Sequence, residues 1–186
     1  MLFLKFKLGF LFCLISFGSF ANSDLTVVDK YIKALKSNDF LLAASQVEQS
    51  ELDGFKLFFV SIGQMAEDKN KYSEFATGPF SQFKTLEQLK AADSKVLFSK
   101  VLEVGITSNK KMMKMFNSAE YKYVGSVKES DTKAYGVIKM TMYWEEEPIE
   151  MTDIVPLIMH EGKYYIGMKA DFKMIANSFK SYFEKI

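Results

Sequence analysis

Apolar residues recur at three- and four-residue steps through the first half of the chain and at two-residue steps through most of the second. That change of period predicts helices followed by strands. Leu25, Val28, Ile32 and Leu35 set the first helical stripe, with Lys30, Lys33 and Lys36 between them and Ser23 or Asp24 as the cap. Ser37-Asn38-Asp39 interrupts it, and Asp39 caps a shorter helix through Phe40, Ala43, Ala44 and Val47. Ser50 caps a third, with Leu52, Phe55, Phe59 and Ile62 on one stripe and Phe58 and Met65 beside it. Residues 67–82 are polar and end in the turn pair Gly78-Pro79. Phe83, Leu86 and Leu89 mark another short helix. Residues 93–106 fit either period, as a helix through Leu97, Val101 and Val104 or as a strand through Val96, Phe98 and Val104. Residues 110–116 read as a helical turn entering the sheet.

From Ala119 the step is two. Tyr121, Tyr123, Gly125 and Val127 alternate up to a turn at Glu129-Ser130-Asp131-Thr132. Ala134, Gly136, Ile138, Met140, Met142 and Trp144 follow, then a connection at Glu145-Glu146-Glu147-Pro148. Ile149, Met151, Asp153, Val155, Leu157 and Met159 lead to a third turn, His160-Glu161-Gly162-Lys163, before Tyr164, Ile166 and Met168. Four strands on short turns make an antiparallel meander. With four residues in each connection, Lys128 pairs with Lys133, Trp144 with Ile149 and Met159 with Tyr164, and all the alternating residues share one face. That face is apolar apart from tyrosine hydroxyls and the Asp153 carboxylate. Asp171 caps a closing helix with Phe172, Ile175, Phe179 and Tyr182 or Phe183 on its stripe. The expected fold class is α+β: a helical N-terminal half packed on a curved four-stranded antiparallel meander, with a closing C-terminal helix.

The run from Val28 to Phe40, VDKYIKALKSNDF, resembles the opening helix and second helix of the nuclear transport factor 2-like superfamily, a cystatin-like α+β cone. The run from Ile154 to Met168, IVPLIMHEGKYYIGM, is similar to its final strand pair around a Gly-Lys turn. Residues 50–118 are longer and more helical than in the usual member, so 22–186 is expected to be one such domain with a helical insertion there. The resemblance implies a cone with a mouth. It does not name a function, because the superfamily holds isomerases, dehydratases, hydrolases and non-catalytic binding domains. Members that move protons beside a carbonyl use an acid in the cone with a tyrosine or second acid as donor. The resemblance therefore implies Asp153 as a general base, with Tyr121, Tyr123 or Tyr164 donating. Dehydratases that use a histidine pair are not matched, since His160 is the single histidine.

Composition removes further classes. The 24 basic residues, all Lys, balance 23 acidic ones over 186 residues, which argues against a dedicated nucleic-acid binder. Without Arg there is no bidentate clamp for carboxylate or phosphate. One Cys and one His exclude a zinc site built on those ligands. No Gly-rich phosphate loop is present. Residues 1–21 read as a secretory signal peptide: Lys5 and Lys7, an apolar run over 8–20, and Ser19-Phe20-Ala21 at the cleavage site. The apolar run is short of the roughly 20 residues that span a bilayer; an uncleaved anchor is the alternative. Bulky Leu11 and Phe12 before Cys13 argue against lipidation there. Cleavage after Ala21 removes the cysteine and leaves 22 Lys against 23 acidic residues, in a periplasmic or secreted protein.

Asp153 is the sharpest candidate for chemistry, because a carboxylate among Ile138, Met140, Met151 and Val155 is expected to be desolvated and to titrate high. Its bland alternative is a sheet edge, a bulge, or a Lys or backbone partner. Glu145-Glu146-Glu147 reads as a solvated loop before a cation site, and His160 as a turn histidine. Lys110 and Lys111 with Met112, Met113, Met115 and Phe116 offer either a partner or membrane face, or a helix core with solvated lysines. Because catalytic residue types are scarce, the expected function is an exported non-catalytic binding domain. It holds a small apolar ligand against Tyr121, Tyr123, Ile138, Met140, Met142, Trp144, Met151 and Tyr164, or a protein partner at the mouth. No cofactor, no metal, no nucleic acid and no stable membrane insertion after cleavage are expected. The alternatives are an isomerase- or dehydratase-like enzyme using Asp153 as general base, and an envelope assembly protein. The latter would form a homodimer through the outer sheet face of Tyr135, Val137, Tyr143, Ile154 and Ile158.

Overall fold

A computed structural model describes residues 21–144, 147–169 and 181, with the side chains of 21–23, 112 and 144 left aside. The expected signal peptide and closing helix therefore lie outside the described residues, apart from Ala21 and Ser181. Among the described residues seven α-helices precede four strands: α1 Ala21–Lys36, α2 Phe40–Ala44, α3 Gln49–Asp68, α4 Tyr72–Phe75, α5 Leu86–Ala91, α6 Ser94–Thr107 and α7 Lys110–Ser118. The strands β1 Glu120–Lys128, β2 Lys133–Trp144, β3 Glu147–His160 and β4 Lys163–Ile166 form one antiparallel meander in chain order. The class is α+β, with its helices in the N-terminal half.

The helix starts follow from capping chemistry. Asp39 accepts from the Leu42 N–H at 3.0 Å and opens α2. Asp93 accepts from the N–H groups of Lys95 (2.8 Å) and Val96 (3.1 Å). That cap settles residues 93–106 as helix, with Leu97, Phe98 and Leu102 buried. The third helix is capped by Glu48, not Ser50: the Glu48 Oε2 accepts from the backbone of Ser50 (2.7 Å) and Glu51 (3.2 Å). Asp24 lies within α1 and reaches across to the sheet. The polar stretch 67–82 contains α4 and a 3-10 turn at Gly78–Phe80, because Tyr72, Phe75 and Phe80 are buried beneath α3. Phe75 stacks on Phe80 with centroids 4.7 Å apart, Phe80 meets Phe59 at 4.8 Å, and Phe55 meets Phe98 edge-on at 5.1 Å. These aromatic pairs make the helical core.

The sheet register differs from the expected one at two turns. Met159 faces Tyr164, as expected for the third turn, with Glu161 and Gly162 both at positive φ in its two-residue tip. Trp144 faces Glu147, not Ile149. A shift of two keeps every side chain on its expected face, so Ile138 lies opposite Asp153, and Met140 opposite Met151. In β1 the shift is of one residue. A bulge between Tyr123 and Gly125 moves the pairing from Tyr123–Ile138 to Gly125–Val137 and Val127–Tyr135. Gly125 and Val127, expected on the inner face, are thereby turned outward, and Val127 is 63% exposed. The same bulge brings Ser126 inward, opposite Gly136.

Helix α1 packs across this inner face. Gly136 lets it approach: a Cβ there would lie 3.2 Å from the Tyr123 ring and 3.5 Å from Val28. Val28, Ile138, Val155, Leu157 and Ile166 are buried at that contact, in one core continuous with the helical lobe.

Candidate functional site

Beyond the Gly136 contact, α1 and the sheet diverge and leave a cavity of about 280 Å³. Helix α1 supplies Tyr31, Ile32 and Leu35, which share its inner stripe. Strand β2 supplies Ile138, Met140 and Met142 at a two-residue step, and Tyr121 projects from β1 opposite Met140. Phe98 of α6 and Phe116 of α7 add aromatic walls. Asp153 and Val155 enter from β3, and Met168 and Lys169 from the segment that follows β4.

The lining is mainly apolar, with one charged pair in it. In that pair the Asp153 Oδ2 accepts from the Lys169 ammonium, and its Oδ1 from the Ile154 N–H at 2.8 Å. The two charged side chains are 38% and 35% exposed, so solvent reaches the pair. Of the two readings of Asp153, the structure shows the one with a partner: the chain after β4 delivers a lysine to it, and the Ile154 backbone a second donor. The Tyr121 hydroxyl lies nearby, buried and with no hydrogen-bond partner among the described residues. Burial, reinforced by the Asp153 charge, pushes its pKa up to about 12. Tyr31 is also pushed up to about 12 by burial. Both phenols are thus neutral donors near pH 7. The Lys36 ammonium lies 5.5 Å from the centre of the Tyr121 ring while donating to the Ala119 carbonyl at 2.7 Å.

Of the residues expected to contact a ligand, Tyr121, Ile138, Met140 and Met142 line the cavity together with Asp153. Tyr123 does not. Its hydroxyl donates to Asp24 Oδ2 at 2.7 Å, and the Ser126 hydroxyl donates to the same oxygen at 2.5 Å. That part-buried cluster ties the start of α1 to the bulged strand. Met151 shares the inner face opposite Met140 but does not line the cavity and is 42% exposed. Tyr164 is half-buried against the core at the other end of the sheet. The Trp144 side chain lies outside the described residues. His160 is not a free turn residue: its Nδ1 lies 3.1 Å from Oε1 of the buried Glu48. Burial alone would raise the Glu48 pKa, but hydrogen bonds from Ser50, His160 and the Glu51 backbone hold it below the usual value.

Sequence reasoning missed the helical half of the lining and Lys169. The apolar stripe of α1 was visible, but the partner of that stripe was not. Among the described residues no three His, Cys, Asp or Glu side chains gather as a metal site, and no helix is long and apolar enough to cross a membrane. Compared with family models, curated proteins and solved structures, the chain matches none.

Proposed function

We propose that this chain is an exported, non-catalytic binding protein that holds one small, mainly apolar ligand in the cavity between α1 and the sheet. The observation that carries the reading is the cavity itself: about 280 Å³, walled mainly by aliphatic, aromatic and methionine side chains, with few polar groups. An apolar cavity of about 150 Å³ takes a benzene ring, so this one suits a body of roughly two rings. Met140, Met142 and Met168 give its wall adaptable surface. The Tyr121 hydroxyl, buried and without a partner among the described residues, supports the same reading, because an oxygen acceptor on a ligand would satisfy it. The resemblance to the nuclear transport factor 2-like cone, whose members include non-catalytic binding domains, supports it too. Asp153 is engaged by the Lys169 ammonium and the Ile154 N–H, which suits a fixed polar group in a binding cavity.

The test is fluorescence titration with N-phenyl-1-naphthylamine, a neutral two-ring probe, on protein expressed with its own leader. Saturable one-to-one binding is expected, and Met140→Trp, which fills the cavity, is expected to abolish it while the circular dichroism of the fold is kept. Absence of saturable binding, or binding unchanged in the folded Trp variant, would overturn the proposal. Native mass spectrometry of the same sample would show any retained ligand.

A further inference from the structure

We propose that the cavity between α1 and the sheet selects a neutral carbonyl compound, an apolar body whose oxygen accepts a hydrogen bond from the Tyr121 hydroxyl. The inference rests on the ligand-binding reading and gives that ligand its chemical class.

The polar side chains of the lining are Tyr31, Tyr121, Asp153 and Lys169. Asp153 already accepts from two donors, the Lys169 ammonium and the Ile154 N–H. Tyr121 differs from it: its hydroxyl is buried and has no hydrogen-bond partner among the described residues. Burial and the Asp153 charge push its pKa up to about 12, so the phenol keeps its proton near pH 7 and has it to give. A buried donor without an acceptor destabilises the protein that carries it, and an acceptor on a ligand removes that cost. The residue directly opposite Tyr121 on β2 is Met140, which lines the same cavity. Its unbranched thioether side chain has the freedom to move aside and let a ligand oxygen reach the hydroxyl.

The charges around the phenol decide which kind of oxygen it takes. Asp153 and Lys169 are the charged side chains of the lining and pair with each other, so the lining has no net charge to hold an ion. A carboxylate placed on Tyr121 would also meet the field of Asp153, the same charge that raises the pKa of the phenol. Lys36 is engaged elsewhere: its ammonium lies 5.5 Å from the centre of the Tyr121 ring, donates to the Ala119 carbonyl and is not part of the lining. An alcohol or an amine brings donor protons of its own, and the carboxylate that could receive them is already engaged twice. A carbonyl oxygen brings lone pairs only. Of the common polar groups it alone satisfies Tyr121 and leaves no new group unpaired.

The experiment is displacement of N-phenyl-1-naphthylamine by a matched set of naphthalenes, again on protein expressed with its own leader. Acetylnaphthalene, the ketone, is compared with isopropenylnaphthalene, which has the same shape without the oxygen. Naphthoate, naphthylethanol and naphthylethylamine, substituted at the same ring position, represent the acid, the alcohol and the amine. The ketone is expected to bind about tenfold tighter than the hydrocarbon, the worth of one hydrogen bond to a donor otherwise unpaired, and tighter than the other three. In Tyr121→Phe the ratio of ketone to hydrocarbon affinity is expected to fall to about one, with the fold checked by circular dichroism. The control is Tyr123→Phe, which removes a hydroxyl that donates to Asp24 outside the cavity; the ratio is expected to survive there. Equal affinity for ketone and hydrocarbon overturns the proposal, as does a ratio that persists in Tyr121→Phe or is lost equally in Tyr123→Phe. Tighter binding of the acid, the alcohol or the amine overturns it in favour of that class. In each of these cases saturable probe binding leaves the ligand-binding reading standing, whereas absence of probe binding overturns both.

Discussion

The Tyr121 hydroxyl is a donor buried without an acceptor among the described residues, and such a group costs about 1–3 kcal/mol. Tyr121→Phe is therefore expected to raise the stability of the unliganded protein by about 1 kcal/mol, read as a higher urea midpoint at unchanged slope. A lower midpoint would mean that the hydroxyl has a partner in the resting protein. Glu48 carries the opposite kind of residue-scale effect. Its carboxylate caps α3 and receives His160, and it ionises more readily folded than unfolded. Its contribution is then complete above the ordinary carboxylate range and is lost as pH falls through the lowered folded-state value. Glu48→Gln is expected to cost about 1 kcal/mol at pH 7. It should also flatten the decline in stability below about pH 4.5. Denaturant titrations at pH 7, 5 and 3.5 check both; an undiminished acid slope in the variant would assign that slope to other carboxylates.

Among the elements, the seat of α1 on the sheet depends on one missing side chain. At Gly136 a Cβ would already crowd the Tyr123 ring, with Leu157 at 3.4 Å behind it. Gly136→Val is expected to cost about 1–3 kcal/mol by overpacking, measured as a fall in denaturation midpoint; a neutral result would mean that α1 shifts freely on the sheet. How far such contacts could be read beforehand depends on the kind of signal. The period-two run from Ala134 to Met142 and its partner from Met151 to Leu157 named the sheet half of the cavity, because one face of a strand must carry every second residue. The β1 bulge was not legible: Tyr121, Tyr123, Gly125 and Val127 alternate whether or not an extra residue intervenes, and only pairing shows that Val127 faces out. The helical half was legible as stripes and not as contacts. Nothing in the spacing of Tyr31, Ile32 and Leu35 says which strand they meet, nor that Phe98 and Phe116 close the same space. The Lys169 partner of Asp153 lies beyond the last strand, where no period constrains direction.

At the scale of the molecule, the cavity joins the two halves of the fold, since its walls come from α1, α6 and α7 on one side and from β1, β2 and β3 on the other. A ligand held there touches groups that are brought together only in the folded chain. By linkage it stabilises the whole protein, by about 2.7 kcal/mol at a hundred times its dissociation constant. For a domain of this size that corresponds to a rise in Tm of roughly 5–10 °C. N-phenyl-1-naphthylamine at that excess is expected to produce such a rise in calorimetry with the native sequence and none with Met140→Trp. The outer sheet face is the competing site, because Val124, Val127 and Ile154 leave an apolar surface exposed there. A probe bound on that face would shift the native protein and the Trp variant alike, whereas one bound between α1 and the sheet would shift the native protein alone. Ile154→Lys separates the two sites from the other direction: it is expected to leave the shift intact, and loss of the shift in that variant would move the binding site to the outer face.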